Sequence, residues 1–99
     1  MAYWLSGELN PRVNGTKWHV YDIPNGFSPP RAGNVILRTS AWGNRWVDSY
    51  IHHEGDIVAR KQHGDHWGST INAFVSAGST VTYGVGGDGG AEWFKFMEF

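Results

Sequence analysis

The chain has 99 residues without a cysteine, and 8 Lys and Arg against 9 Asp and Glu give it a formal net charge of -1. A chain of this length most simply forms one domain over residues 1–99, and the lack of thiols excludes a disulfide framework or a zinc ribbon as its stabiliser. The balanced charge argues against nucleic acid as a partner, and no run approaches the roughly 20 apolar residues that a membrane-spanning helix needs.

Aromatic residues and glycines stand out in the composition. The chain contains 6 Trp, 4 Tyr, 5 Phe and 14 Gly, and no window sustains the apolar period of 3.6 residues that predicts a helix. Short β-rich runs separated by glycine turns are typical of an all-β protein. We therefore predict a small antiparallel β-sandwich of about eight short strands.

The first third of the chain contains two predicted strands and a long connection. A weak strand is expected from Tyr3 to Leu9, followed by a type I′ turn at Asn14-Gly15. Asn14-Gly15-Thr16 is also a glycosylation sequon, but nothing in the chain signals a glycosylating pathway, so the turn is the preferred interpretation. A second strand is expected from Lys17 to Ile23, and Pro29-Pro30 predicts an extended surface connection after it.

The middle of the chain predicts a strand, a turn and a hairpin. The strand spans Asn34 to Ala41, and a turn follows at Trp42 to Arg45. The hairpin pairs Trp46 to His52 with Ile57 to Gln62 across a two-residue turn at Glu54-Gly55.

The expected register of this hairpin follows from the length of its turn. It places Asp48 opposite Lys61, which gives a favourable charge pair, and Trp46 opposite His63. Both sheet faces of the hairpin then carry mixed side chains, which favours a ligand platform or an oligomer contact on the outer face.

The last 29 residues predict three strands. These are Ile71 to Val75, Thr80 to Val85 and Ala91 to Phe99. The glycine-rich run from Gly84 to Gly90 between the last two predicts a flexible hairpin loop. Because chain ends fray unless they are tied into a sheet, the aromatic C-terminus is expected to dock against its own sheet or a neighbouring subunit.

The sequence favours neither a metal site within one chain nor catalysis. His52, His53, His63 and His66 lie near acidic residues, but adjacent strand residues point to opposite faces, and the spacing matches no helical metalloprotease or cupin-like pattern. We predict no metal site within one chain, and a site between subunits stays open. Without a cysteine or a Gly-x-Ser-x-Gly elbow, and without a phosphate-binding glycine loop, we predict no catalytic residues, no cofactor and no enzyme activity.

Two predicted turns, which the hairpin register places at the same end, combine aromatic and hydrogen-bonding side chains. Aromatic faces pack on the C–H surfaces of sugar rings, while Asn, Asp, Arg and His bind hydroxyl groups. This end is the predicted carbohydrate-binding surface, and the alternative is that its tryptophans simply plug the sandwich. The predicted ligand-binding residues are Trp42, Asn44, Arg45, Trp46, His63, Asp65, His66 and Trp67.

The final third resembles the C-terminal tip domains of bacteriophage tail fibres. The resemblance rests on the run from Phe74 to Tyr83, the glycine-rich stretch after it and the closing Trp93-Phe94-Lys95-Phe96. It implies a non-enzymatic β-sandwich that forms a homotrimer, resides on the virion outside the cell and binds cell-surface glycan or another receptor.

Two features depart from that family. The sequence from Met1 shows no coiled or β-helical shaft segment before the expected sandwich, so we expect an excised domain or a separate small virion protein. The repeated His-x-His of iron-threaded fibre needles is also missing. A free-standing lectin module and a structural virion component without a ligand remain the alternative functions.

Overall fold

The computed structural model describes residues 4–5, 8–9 and 19–98. These residues form nine strands: β1 Trp4–Leu5, β2 Glu8–Leu9, β3 His19–Asp22, β4 Gly33–Ala41, β5 Val47–His53, β6 Asp56–His63, β7 Ser69–Val75, β8 Val81–Gly87 and β9 Gly89–Glu98. The described ranges contain no helix that could span a membrane. The predicted all-β class is confirmed.

Two antiparallel sheets pack against each other to form the predicted sandwich. One sheet has four strands in the order β3-β9-β4-β7, and the other has three in the order β6-β5-β8. β1 and β2 pair only with each other. The last strand, β9, lies between β3 and β4, so the C-terminal segment is tied into its own sheet through Glu98, as expected.

The core lies between the two sheets because strand residues alternate in direction. Val35 and Leu37 of β4 and Ile51 of β5 are fully buried, whereas their neighbours at intervening positions of β5 are half-exposed. Period-two alternation places one set of side chains inside and the other on the sheet surface. The central cluster consists of Ile23, Val35, Leu37, Ile51, Val75, Val81, Phe94 and Phe96.

The β5–β6 hairpin has the predicted turn, but its register changes away from that turn. Glu54 and Gly55 both have positive φ, 56° and 84°, as a type I′ turn requires. His53 pairs with Asp56 as predicted, but a bulge between Ile51 and His52 shifts the remaining pairs by one residue.

The predicted pairing of Asp48 with Lys61 is therefore wrong. Asp48 lies opposite Gln62, and Val47, not Trp46, lies opposite His63. Because the bulge adds one residue to β6, Arg60 now shares the outer face with Asp48 and takes the place of Lys61 in the charge pair. The Arg60 Nη2 to Asp48 Oδ2 distance is 2.7 Å.

The predicted flexible loop from Gly84 to Gly90 is also wrong, because most of these residues lie in strands. β8 continues through Gly87 and β9 begins at Gly89, so only Asp88 interrupts the strands. A Cβ atom on Gly89 would clash with the carbonyl oxygen of Ser40 and lie 2.8 Å from Val47 Cβ. The glycine is required there because the Ser40 backbone of the neighbouring strand β4 and the Val47 side chain of the facing sheet approach it closely, and not by loop flexibility.

The predictions for the N-terminal part are only partly within the described residues. The single strand expected from Tyr3 to Leu9 is wrong, because Trp4–Leu5 pairs with Glu8–Leu9 as two short strands. The expected turn at Asn14-Gly15 lies outside the described residues. The strand predicted to end near Ile23 is present as β3.

Candidate functional site

Three connections between the two sheets meet at one end of the sandwich. They are residues 42–46 between β4 and β5, residues 64–68 between β6 and β7, and Asp88 between β8 and β9. The strand register places them together, because Val47 pairs with both His63 and Gly87 while Ala41 pairs with Gly89. We call these three connections the tryptophan end.

Backbone hydrogen bonds hold the three connections to one another. Asp88 accepts from the Trp42 N–H at 2.9 Å and donates its own N–H to the Trp46 carbonyl at 2.8 Å. The Ala41 N–H donates to the Asp65 carbonyl at 3.0 Å, which joins the second connection to the end of β4, directly before the first. Binding residues on these connections are therefore presented by a braced scaffold.

The three tryptophans of this end are displayed to solvent. Trp42, Trp46 and Trp67 are 60%, 66% and 81% exposed. Side chains of this type dominate cores and interfaces because each can bury a large apolar area. The alternative that they plug the end of the sandwich is therefore wrong for the isolated chain.

Polar side chains surround the exposed rings. Arg45 forms an exposed ion pair with Asp88, with 3.5 Å between Nη1 and Oδ2. Asp65 Oδ1 accepts from the Trp67 N–H at 2.8 Å, and the His66 ring packs edge-on against the Trp67 ring. Asn44 is exposed in the turn between β4 and β5. Seven of the eight predicted ligand-binding residues are thus exposed at this end.

His63 is the predicted residue that does not reach the surface. It is 7% exposed, and its Nε2 lies 2.9 Å from the Thr39 hydroxyl, which lies 2.5 Å from the Ser49 hydroxyl. Its Nδ1 accepts the Asp65 N–H at 3.0 Å, so a neutral ring carries its proton on Nε2 and donates it to Thr39.

His63 therefore stabilises the tryptophan end from the interior, by accepting the Asp65 N–H. Burial, reinforced by nearby Lys61 and opposed by Asp65, lowers the pKa of His63 below its ordinary value. The neutral ring can accept at Nδ1, whereas a protonated ring would direct an N–H at the Asp65 N–H. The state that keeps Asp65 in place is the uncharged one.

A groove on the outer face of the three-stranded sheet begins at Trp46. It has a volume of about 290 Å³ and is lined by Trp46, Val47, Asp48, Gln62, Gly86 and Gly87. Gln62 and Gly86 both pair with Asp48, so the three residues form one row across β6, β5 and β8.

Sequence reasoning missed Asp48, Gln62 and the two glycines as site residues. The sequence pattern predicts Asp48 only as one member of a charge pair, and it predicts the glycines as part of a loop. The mixed faces of the predicted hairpin are the available signal, because they favour a ligand platform or an oligomer contact on the outer face.

Asp48 is held in this groove by Arg60. Two guanidinium nitrogens donate to its carboxylate, Nε to Oδ1 at 3.1 Å and Nη2 to Oδ2 at 2.7 Å. These hydrogen bonds lower the pKa of Asp48 below its ordinary value. Such a two-point contact fixes the carboxylate in position and keeps it ionised at neutral pH.

A second cleft of about 370 Å³ lies at the side of the sandwich, where β3 ends beside β8 and β9. Its Asn25 side chain donates to the Tyr83 carbonyl and accepts the Tyr83 N–H. The Asn25 amide therefore satisfies the backbone groups of Tyr83 in place of a neighbouring strand, and it is not available to a ligand. This cleft also contains none of the three displayed tryptophans.

The histidines do not form a metal site within the described part of the chain. No group of three or more His, Asp or Glu side chains there is arranged to hold an ion. His63 is committed to the buried hydroxyl pair, and His52 packs edge-on against Tyr50 on the outer face.

Comparison with known proteins assigns the chain to no family. No protein-family model matches the chain, and a search of curated proteins finds no similar sequence. The function is therefore inferred from the chemistry of the tryptophan end and its groove.

Proposed function

We propose that this protein is a non-enzymatic receptor-binding tip domain of a phage tail fibre, which recognises glycan on the host cell surface through its tryptophan end. The observation that carries the binding part of the proposal is the display of Trp42, Trp46 and Trp67 on braced connections at one end of the sandwich. The tail-fibre part rests on the resemblance of the final third of the sequence. Exposure of large apolar rings to water is unfavourable, so we expect a binding partner to cover them.

The chemistry around these rings suits a carbohydrate. Each ring offers a flat apolar face for sugar C–H groups, and the side chains of Asn44, Asp65 and His66 offer hydrogen bonds to hydroxyls. Arginine and aspartate are balanced at Arg45 and Asp88, so no strong field of one sign favours a polyanion.

We expect Trp42→Ala and Trp67→Ala each to weaken glycan binding about fivefold or more, because removal of a central aromatic from a contact surface commonly costs over 1 kcal/mol. The measurement is binding of the labelled protein to an array of bacterial surface glycans and to host cells. Phe74→Ala is the matched control, since Phe74 is 59% exposed on β7 and pairs with Asn34 at the opposite end of the sandwich.

The alternatives make different predictions for the same samples. The tail-fibre proposal includes a homotrimer on the virion, so a monomer at micromolar concentration in sedimentation would leave a free-standing lectin module. An array without a hit, together with host-cell binding that neither tryptophan variant changes, would leave a structural virion component.

A further inference from the structure

The groove beside Trp46 has a bare floor that the fold does not require. A Cβ atom on Gly86 would meet only Asp48 Cβ, at 3.9 Å, and Gly86 does not adopt a positive φ. Gly33 and Gly89 differ, because added Cβ atoms would clash there with backbone carbonyl oxygens. Gly86 could therefore carry a Cβ atom in ordinary van der Waals contact, and its absent side chain leaves space for a ligand.

The groups around this floor are a ring, a carboxylate and an amide. Asp48 lies between Gln62 and Gly86 in one row, and Trp46 precedes it by two positions on the same face. Arg60 occupies one side of the Asp48 carboxylate with two hydrogen bonds, and the side chain remains 20% exposed. The Gln62 side chain also hydrogen-bonds the carboxylate, so one of its about four acceptor positions remains for a hydroxyl donor.

We propose that this groove is a subsite for one neutral pyranose ring, which packs a C–H face on Trp46 and donates a hydroxyl to Asp48. The inference rests on the proposed glycan-binding function and adds the class of sugar. The volume of about 290 Å³ is at the lower end of the range of roughly 300–1,000 Å³ for small-molecule sites, which fits a single ring and not an oligosaccharide.

Asp48 sets the charge preference of the subsite. An ionised carboxylate accepts hydroxyl donors but repels the carboxylate of an acidic sugar, and the nearest cation, Arg60, already has two of its nitrogens bound to Asp48. Sugars ending in glucose, galactose or N-acetylglucosamine are therefore accepted, and those ending in glucuronic acid are rejected.

The first test fills the groove. Gly86→Val places a side chain on the floor, and Gly90→Val is the matched control, because a Cβ atom on Gly90 of β9 meets nothing within 4 Å. On an array of neutral and uronic-acid-terminated oligosaccharides, Gly86→Val is expected to lose at least tenfold in affinity for the neutral probes. Gly90→Val should bind like the unmodified protein, and both variants should unfold at similar temperatures.

The second test reverses the charge preference. Asp48→Asn removes the anion and frees Arg60, so the ratio of glucuronic-acid to glucose-terminated binding is expected to rise at least fivefold. An unchanged ratio, or Gly86→Val that binds as well as the unmodified protein, would overturn the subsite while the glycan-binding proposal stands. An unmodified protein that binds no glycan on the array would overturn both.

Discussion

Phe96→Ala is expected to destabilise the protein by about 3–5 kcal/mol, the usual cost of removing a buried phenylalanine ring. Phe96 is fully buried on β9, and its ring centroid lies 5.8 Å from that of Tyr21 and 5.4 Å from that of Phe27. Small domains have total stabilities of roughly 5–15 kcal/mol, so this loss is a large part of the whole. The measurement is the free energy of unfolding from urea titration.

Trp67→Ala is the control for this prediction, because it removes an even larger aromatic side chain that is 81% exposed. A surface substitution of this kind is expected to change the stability by less than about 0.5 kcal/mol. If Trp67→Ala proved as costly as Phe96→Ala, the indole would have to pack against the protein, and the displayed surface would not exist.

Thr39→Val is expected to destabilise the protein by about 2–5 kcal/mol, because two buried polar groups lose their partner at once. The Thr39 hydroxyl lies within hydrogen-bond distance of both Ser49 and His63, and all three residues are buried. The substitution preserves shape, so the loss reports the hydrogen bonds and not a cavity. Thr70→Val on the exposed face of β7 is the matched control and should have little effect.

The pH dependence of the free energy of unfolding is an independent test of the same buried residues, Thr39, Ser49 and His63. The pKa of His63 is lowered in the folded state, so below the ordinary value of 6.5 the unfolded chain binds a proton that the folded chain does not. The contribution of His63 is therefore complete above pH 6.5 and is lost as the pH falls from there toward the folded-state pKa. His63→Gln should remove this dependence, and an unchanged acid limb in that variant would contradict the assignment.

Local sequence patterns predict the β5–β6 hairpin well because its determinants are local. Alternating apolar residues in β5 and the Glu54-Gly55 pair define two strands and a turn. The bulge near Ile51 has no comparable local signature, because an extra residue in one strand is accommodated by packing against the rest of the sandwich. The predicted register was therefore correct only near the turn.

The glycine run and His63 show the opposite case, in which distant contacts decide the structure. A run of glycines predicts a loop, yet Gly89 lies in a strand. Its position requires a glycine because Ser40 and Val47 leave no space for a Cβ atom. His63 is the last residue of β6 and resembles a turn residue, but it is buried and hydrogen-bonds Thr39 of β4, which in turn hydrogen-bonds Ser49 of β5. Neither relation can be read from neighbouring positions in the sequence.

The sequence predicts which residues lie together at one end of the sandwich, and seven of the eight are exposed there. The exposed tryptophans and their polar neighbours lie on connections, where sequence patterns are informative. The groove requires Asp48, Gln62 and Gly86 from three strands to form one row, and that row depends on the register that the bulge changes.

The most direct measurement of the central claim is a nuclear magnetic resonance titration that follows the indole N–H signals while host surface oligosaccharide is added. The signals of Trp42, Trp46 and Trp67 are expected to shift together and saturate, whereas Trp93, which lies on β9 with Lys95 Nζ 5.1 Å from its ring centroid, should not move. Saturable shifts confined to Trp93, with the three exposed indoles unchanged, would contradict glycan recognition by the tryptophan end.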